Sequence, residues 1–112
     1  MKDIYLVILQ TEKRDNKFEG FTYEVSNHRI ECYTDYEKAK AYINSCVDAQ
    51  LAIERDTCKI IEKYDKDCDE YELPPVFNGW YLVDALYSVV TKSTFQGAEV
   101  LMSRFIIKTT MN

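Results

Sequence analysis

The sequence predicts an α+β domain in which an antiparallel sheet of four to five strands carries one long helix on one face, in the order β-β-α-β-β. Runs rich in β-branched and aromatic residues lie towards both ends of the chain. A single helical pattern lies between them, and strands do not alternate with helices. The chain has 112 residues, the usual length of one domain, and its 46% hydrophobic residues suffice for one core. We therefore expect residues 1–112 to fold as a single domain.

The first predicted element is a strand from Asp3 to Thr11. Its near-continuous run of β-branched, aromatic and aliphatic residues is typical of a central strand that is buried on both faces. The following segment, Glu12 to Gly20, is polar and lacks any period, so we expect an exposed loop or a wide hairpin turn there.

The second region of predicted strand lies between this loop and the helix. Apolar and polar residues alternate from Phe21 to Val25 and again from His28 to Tyr33, with Ser26-Asn27 as a turn signal between the two runs. The pattern fits either two short strands or one strand interrupted by a bulge.

The helix is predicted from about Tyr36 to about Lys63. Thr34 and Glu37 have the spacing of a capping box, in which each side chain accepts from the other residue's amide. Apolar residues then recur every three or four positions. A helix of this length would measure ~40 Å, more than a small sheet covers, so we expect a break near Asp56-Thr57. Cys58 to Tyr64 has a strand as its alternative.

The C-terminal part of the chain predicts a hairpin. Two consecutive prolines, at positions 74 and 75, cannot continue a helix, and Asn78-Gly79 is a strong turn dipeptide. Trp80 to Val90 and Glu99 to Thr109 are rich in aromatic and β-branched residues. We expect two antiparallel strands there, joined by the polar connector Thr91 to Ala98.

Composition and charge restrict the classes of partner and the compartment. The chain has 19 acidic and 14 basic residues, a net charge of −5, and its basic residues are scattered along the sequence. This charge disfavours direct binding to nucleic acid or to anionic membranes. The apolar run that opens the chain is too short for a secretory signal, and no run is long enough for a membrane span. We expect a cytoplasmic protein with free thiols at its four cysteines, which are Cys32, Cys46, Cys58 and Cys68.

No sequence motif predicts an enzyme or a cofactor. His28, the only histidine, follows a turn signal and is interpreted as an exposed polar residue. The four cysteines are spaced too widely for a zinc ribbon and lie in apolar or acidic surroundings, which make a thiol less reactive. Catalytic residues, cofactors and metal ligands are therefore not predicted.

The acidic segment has the start of a calcium-loop motif, because Asp65, Asp67 and Asp69 occupy its first, third and fifth positions. The rest of the motif fails. Glu70 stands where the sharp turn requires glycine, and Val76 stands where a bidentate glutamate should close the site. We interpret the segment as a solvated acidic loop.

The same acidic segment is the predicted partner-binding region. Nine tyrosines, five phenylalanines and one tryptophan are a high aromatic content for this length, and such side chains often anchor protein interfaces. Acidic and aromatic residues lie close together between positions 65 and 80, which suits a partner with a basic surface. The candidate partner-binding residues are Asp65, Asp67, Asp69, Glu70, Tyr71, Glu72, Phe77 and Trp80. The competing interpretation is that the aromatic residues at its end only begin a strand and close the core.

One short segment resembles a known group of proteins. Residues 32–43, Cys-Tyr-Thr-Asp-Tyr-Glu-Lys-Ala-Lys-Ala-Tyr-Ile, resemble the strand-to-helix junction of small phage and mobile-element accessory proteins. The resemblance covers about a tenth of the chain. It implies a host-takeover or anti-defence role, with anti-CRISPR-like inhibitors as one example, in which the protein binds a host protein. No functional residues are implied by it, because that group shares no site motif.

Two functional hypotheses follow. The first is an acidic module that inhibits or regulates a host defence or nucleic-acid-processing protein by covering its functional site, acting as a monomer or as a homodimer. The second is a domain that binds a small molecule, or a minimal enzyme, with a tyrosine-lined pocket between helix and sheet. A deep apolar cavity with several inward carboxylates would favour the second hypothesis, and a filled core would disfavour it.

Overall fold

In the computed structural model, a five-stranded antiparallel sheet carries one helix across one face; the structure describes residues 2–15, 22–67, 76–77, 80–81, 85–95 and 97–111. Two strands, β1 (Lys2–Asp15) and β2 (Thr22–Tyr33), precede the helix α1 (Tyr36–Ile53). Five strands follow it: β3 (Cys58–Asp65), β4 (Val76–Phe77), β5 (Trp80–Tyr81), β6 (Ala85–Phe95) and β7 (Ala98–Met111). The large sheet has the order β2-β1-β7-β6-β3, and β4 pairs with β5 in a separate two-stranded sheet. The α+β class and the antiparallel sheet are confirmed.

The predicted helix is too long, and the predicted element order is matched only in part, because more than two strands follow the helix. The helix ends at Ile53, and the chain turns through hydrogen bonds from the amides of Thr57 and Cys58 to the carbonyl of Glu54. Cys58–Asp65 then forms β3, the alternative that the sequence left open, and pairs antiparallel with β6. A strand is favoured there because the outer edge of β6 needs hydrogen-bond partners. The helix was expected to break near Asp56, because a longer helix would exceed the width of the sheet. It ends three residues before that position.

The N-cap of the helix lies one residue later than the sequence predicts. Asp35, not Thr34, is the N-cap, and its carboxylate accepts from the amides of Glu37 at 2.9 Å and Lys38 at 3.4 Å. Aspartate satisfies these amides as well as threonine does, and its negative charge is favourable at a helix N-terminus.

The first two strands are longer than predicted. β1 continues to Asp15, so the first part of the predicted loop is strand, and the side chain of Glu12 is 1% exposed. β2 is one bulged strand rather than two short ones. Leu9 lies opposite Arg29 and Gln10 lies opposite Asn27, which leaves His28 as the extra residue of the bulge.

The C-terminal hairpin is confirmed, but its strands run through the predicted polar connector. β6 reaches Phe95 and β7 begins at Ala98, with Phe95 and Ala98 opposite each other. Gly97 has φ +80°, a conformation that glycine adopts at little cost, and this permits a short link.

The core lies between α1 and the three central strands. Ala39, Ile43 and Val47 of the helix pack against a group of buried residues on β1, β6 and β7, which are Val7, Tyr87, Val89 and Ile106. The opposite face of the sheet is also buried at Phe105, at 2% exposure. Burial on both faces explains the near-continuous hydrophobicity of the central strands. Within the described ranges, no helix is long and apolar enough to cross a membrane.

Candidate functional site

Asp65, the first residue of the predicted partner-binding region, ends β3 and is held by two hydrogen bonds. Lys40 Nζ lies 2.6 Å from its Oδ2, and the amide of Asp67 donates to its Oδ1 at 3.0 Å. Burial alone raises the pKa of Asp65, but the bonds from Lys40 and from the Asp67 amide outweigh burial and hold the pKa below its usual value. Asp65 therefore fixes the start of the acidic segment against the helix.

The tyrosines near this ion pair belong to the packing of the protein. The rings of Tyr5 and Tyr36 lie 5.5 Å apart, and Lys40 Nζ lies 5.1 Å from the centre of the Tyr87 ring. Burial, followed by the charge of Asp65, raises the pKa of Tyr36 to about 12. The high tyrosine content is thus partly explained by contacts between β1, α1 and β6.

The structure describes only some of the other predicted partner-binding residues. Asp67 is exposed, two residues beyond the end of β3. Phe77 of β4 and Trp80 of β5 are Cα partners in the two-stranded sheet, so the structure brings these two candidates together. The other four candidates lie outside the described residues: Asp69, Glu70, Tyr71 and Glu72.

An apolar feature that the sequence analysis missed lies on β3 itself, which is an edge strand of the large sheet. Ile60 and Ile61 are 44% and 41% exposed. Ile60 pairs with Thr91 and Glu62 pairs with Val90, so Ile61 is the extra residue of a bulge. Both isoleucines lie within the helix predicted from about Tyr36 to about Lys63, where they fit its apolar spacing. The alternation of charges around them, from Lys59 to Lys63, is a signal that favours an edge strand.

A cavity of about 180 Å³ lies between α1 and the sheet. Strand register explains its walls: Glu31 pairs with Val7, and Leu9 pairs with Arg104, so four side chains from three adjacent strands meet there. One turn of the helix completes the lining with Tyr42 and Cys46. The second hypothesis predicted a tyrosine-lined pocket between helix and sheet, and several inward carboxylates in it would favour that hypothesis. Among the described residues, the cavity has one tyrosine and one carboxylate.

Arg104 is the cation of this cavity. Its Nη1 donates to Gln50 Oε1 at 2.9 Å. Burial lowers the pKa of Arg104, although nearby groups that include Glu54 oppose this effect. The carboxylate of Glu31 lines the same cavity.

Gln50 connects Arg104 to a polar network at the end of the helix. Its Oε1 also accepts from Thr91 at 3.1 Å, and its Nε2 lies 3.0 Å from Glu54 Oε2 and 3.4 Å from Ser93 Oγ. Ser93 in turn donates to Glu54 at 3.2 Å. This network fixes the guanidinium of Arg104 at one side of the cavity.

Three basic residues that are separated in the sequence meet at the turn between α1 and β3. Arg55, Lys59 and Lys92 line a cleft of about 570 Å³, and Lys59 lies directly opposite Lys92 in the sheet. Lys92 is paired with Glu99 at 3.0 Å. Arg55 and Lys59 are exposed, so water screens their charges and weakens any anion contact there.

The described residues contain no group of three or more His, Cys, Asp or Glu side chains that is arranged to hold a metal ion. The described cysteines, Cys32, Cys46 and Cys58, carry free thiols. No protein-family model, curated protein or solved structure matches the chain. Function must therefore be inferred from the chain's own residues.

Proposed function

We propose that the chain binds a protein partner that carries a basic surface, and that it inhibits or regulates this partner by covering its functional site. The binding region is the β3 surface, defined as the exposed edge of β3 with Ile60 and Ile61, together with the acidic segment from Asp65 to Trp80 that follows this strand. The observation that carries the proposal is the exposure of two adjacent isoleucines on an edge strand.

Exposed apolar side chains on a sheet edge promote association, and proteins commonly place charges or bulges there instead. β3 has both devices, because Ile61 forms a bulge and Lys59, Glu62 and Lys63 are charged. Two large apolar residues are nevertheless left in water at this edge. An apolar centre surrounded by charged residues is the usual composition of a protein interface.

The charge of the neighbouring segment determines the kind of partner. Five acidic residues and one lysine lie between positions 65 and 72. The ion pair between Lys40 and Asp65 uses one of these charges, and Asp67 is exposed. The remaining negative charge would attract a basic surface and increase the association rate.

Inhibition of a host protein is the form of this function that we favour. It agrees with the resemblance of residues 32–43 to anti-defence accessory proteins, and free thiols at three cysteines suit the reducing cytoplasm. Imitation of DNA fits less well, because 14 basic residues dilute the negative charge. We therefore favour inhibition of a nucleic-acid-processing protein by covering its functional site over imitation of DNA.

The experiment compares quantitative capture of proteins from host lysate by the wild-type chain and by variants with one changed side chain. Ile61→Lys and Asp67→Lys alter the β3 surface. Ile30→Lys is the matched apolar control, because Ile30 is 60% exposed on the opposite edge strand, and Asp48→Lys is the matched charge control on the exposed face of α1.

We expect the Ile61 and Asp67 variants to retain about tenfold less of the same partner, since an interface residue of this kind contributes ~1 kcal/mol or more. Both controls should retain it fully. The effect of Asp67→Lys should decrease at high salt, whereas that of Ile61→Lys should not. Equal losses in controls and test variants, or no loss in either test variant, would exclude the β3 surface.

A further inference from the structure

A row of apolar residues crosses the sheet and ends in water at the edge strand β2. Phe105 pairs with Ile8, and Ile8 pairs with Ile30, so the three side chains lie on one face of the sheet, opposite α1. Their exposure rises from 2% at Phe105 to 60% at Ile30. Among the described strands, none pairs with the outer side of β2. A strand added at this edge would continue the row and bury Ile30.

The two edges of the large sheet differ in their capacity to accept a strand. β3 has a bulge at Ile61, and a bulge interrupts the row of N–H and C=O groups to which another strand would bond. In β2 the bulge lies at His28, and the pairing with β1 is regular from Arg29 to Tyr33. Proline would also block strand addition, but β2 contains none. The stretch around Ile30 is therefore open to pairing through its backbone.

The sequence of this stretch is complementary to itself in one register. A two-fold axis perpendicular to the sheet keeps each residue on its own face, so a symmetric antiparallel pair of β2 strands is centred on one residue. Centring on Arg29 or on Glu31 places like charges directly opposite each other, which is unfavourable. Centring on Ile30 places the two isoleucines together and each Arg29 opposite Glu31 of the other copy.

We propose that two copies of this chain associate through β2 as an antiparallel pair centred on Ile30, which joins their five-stranded sheets into one. Glu31 can keep its contacts within its own chain, because a carboxylate has acceptor sites for about four hydrogen bonds. The β3 surfaces lie at the two outer edges of the joined sheet. Dimer formation is therefore independent of partner capture at β3, and each can fail without the other.

The first test measures the mass of the chain by sedimentation equilibrium in the presence of a reductant, from about 1 µM to about 1 mM. A short edge pair is an interface of the small class, below about 1,200 Å², so we expect a dissociation constant on the order of micromolar. The mass should rise from 13.2 kDa to twice this value. A wild-type chain that stays monomeric throughout would overturn the proposal and leave the edge to another occupant.

Ile30→Lys places two like charges at the centre of the pair and should weaken the dimer at least about tenfold. Ile53→Lys is the matched control, since it makes the same change at a residue of α1 that is 83% exposed, and it should dimerise as the wild type does. Circular dichroism checks that both variants are folded. Equal dimerisation of the Ile30 variant and the wild type would overturn the role of β2.

The register is tested by mixing two charge variants. Arg29→Glu alone and Glu31→Arg alone each place like charges opposite each other in a dimer centred on Ile30, and each should dimerise about tenfold more weakly than the wild type. In an equimolar mixture of the two, opposite charges face each other at both positions, and dimers should form again. A mixture no more dimeric than its components would overturn this register.

A cross-link gives a second measure of the register. In a Cys32→Ser background, Ile30→Cys places one thiol opposite its copy, and opposed residues of an antiparallel pair have the Cα separation that a disulfide requires. Air oxidation with copper phenanthroline should give a covalent dimer of this variant, and none of Cys32→Ser alone. The exposed Cys32 of the wild type should not cross-link, because the two copies of it lie about 13 Å apart in this register. Faster cross-linking through Cys32 than through position 30 would overturn it.

Discussion

The N-terminal and C-terminal parts of α1 contact the same face of the sheet through different kinds of side chain. Along the first part, Ala39, Ile43 and Val47 are at most 3% exposed and pack on apolar side chains of the sheet. At the C-terminal end, Gln50 faces the sheet and bonds to Thr91 and Arg104. One part buries hydrocarbon, and the other places polar groups between the helix and the sheet.

The difference teaches that the helix is stabilised at one end and positioned at the other. Apolar packing supplies free energy but tolerates small shifts, because it has no direction. Hydrogen bonds from one amide to several partners require a defined position of the helix. We therefore expect the apolar part to dominate stability and the polar part to determine the geometry of the cavity beside Arg104.

The largest expected effect is that of Ile43→Ala. Ile43 is 0% exposed, and its truncation should lower the free energy of unfolding by about 2–5 kcal/mol, through lost burial and a remaining cavity. Urea unfolding measures it. Ile53→Ala, the same change on the same helix at 83% exposure, is the control and should stay within about 0.5 kcal/mol of the wild type. Similar losses in both variants would mean that the apolar part does not dominate.

A smaller effect is expected when the polar part is changed. Gln50→Met keeps the side-chain volume but leaves the hydroxyl of Thr91 and the guanidinium of Arg104 without this partner. The free energy of unfolding should fall by about 1–3 kcal/mol. In the double variant with Thr91→Val, part of this loss should be recovered, because no hydroxyl is then left unsatisfied. Strict additivity of the two substitutions would show that Gln50 and Thr91 are not coupled.

The smallest effect concerns the ion pair at the flank of the apolar part, between Lys40 and Asp65. Because the pKa of Asp65 in the folded protein is below its ordinary value of 3.8, its contribution is present above pH 3.8 and is lost as the pH falls through the folded pKa. Asp65→Asn should therefore reduce stability near neutral pH by about 1 kcal/mol or less, and this difference should shrink in acid.

This difference is measured by following the unfolding of the wild type and of Asp65→Asn at several pH values. Asp3→Asn is the matched control, since the pair between Asp3 and Lys108 is longer, at 3.5 Å, and its side chains are about half exposed. A difference between wild type and Asp65→Asn that stays constant from neutral to acid pH would contradict the assigned role of the carboxylate.

Much of the fold was predictable because its signals are local. The β-branched run at the start of β1 and the capping signal before α1 depend on neighbouring residues only. The strand is found, and the helix is capped by Asp35, one position after the predicted Thr34. The end of α1 was not predictable in the same way. Ile60 and Ile61 fit a helical stripe as well as a strand, and the pairing of β3 with β6 decided between them. That choice depends on residues about thirty positions away.

The acidic segment and the cavity also differ in whether their sequence signals are local. The acidic segment is a feature of consecutive residues, so the sequence identified it, although it did not reveal that Asp65 is bound by Lys40. The cavity has walls from four elements, and Glu31, Cys46 and Arg104 are far apart in the chain. Their meeting depends on strand register, which one sequence does not determine when several pairings satisfy the same pattern.

The pairing of β1 with β7 at the centre of the sheet has a consequence for the order of folding. These strands pair from Lys2 with Met111 to Asp15 with Ala98, so the central ladder joins segments that are separated by nearly the whole described chain. Contacts of such high sequence separation slow folding, because a long loop must close before they form. During synthesis, β1 and β2 emerge early and can pair as a hairpin, but β1 has no second partner until β7 is made. The sheet and the cavity beneath α1 are therefore completed late, and the apolar strand β1 is the segment that depends longest on protection from association with other chains.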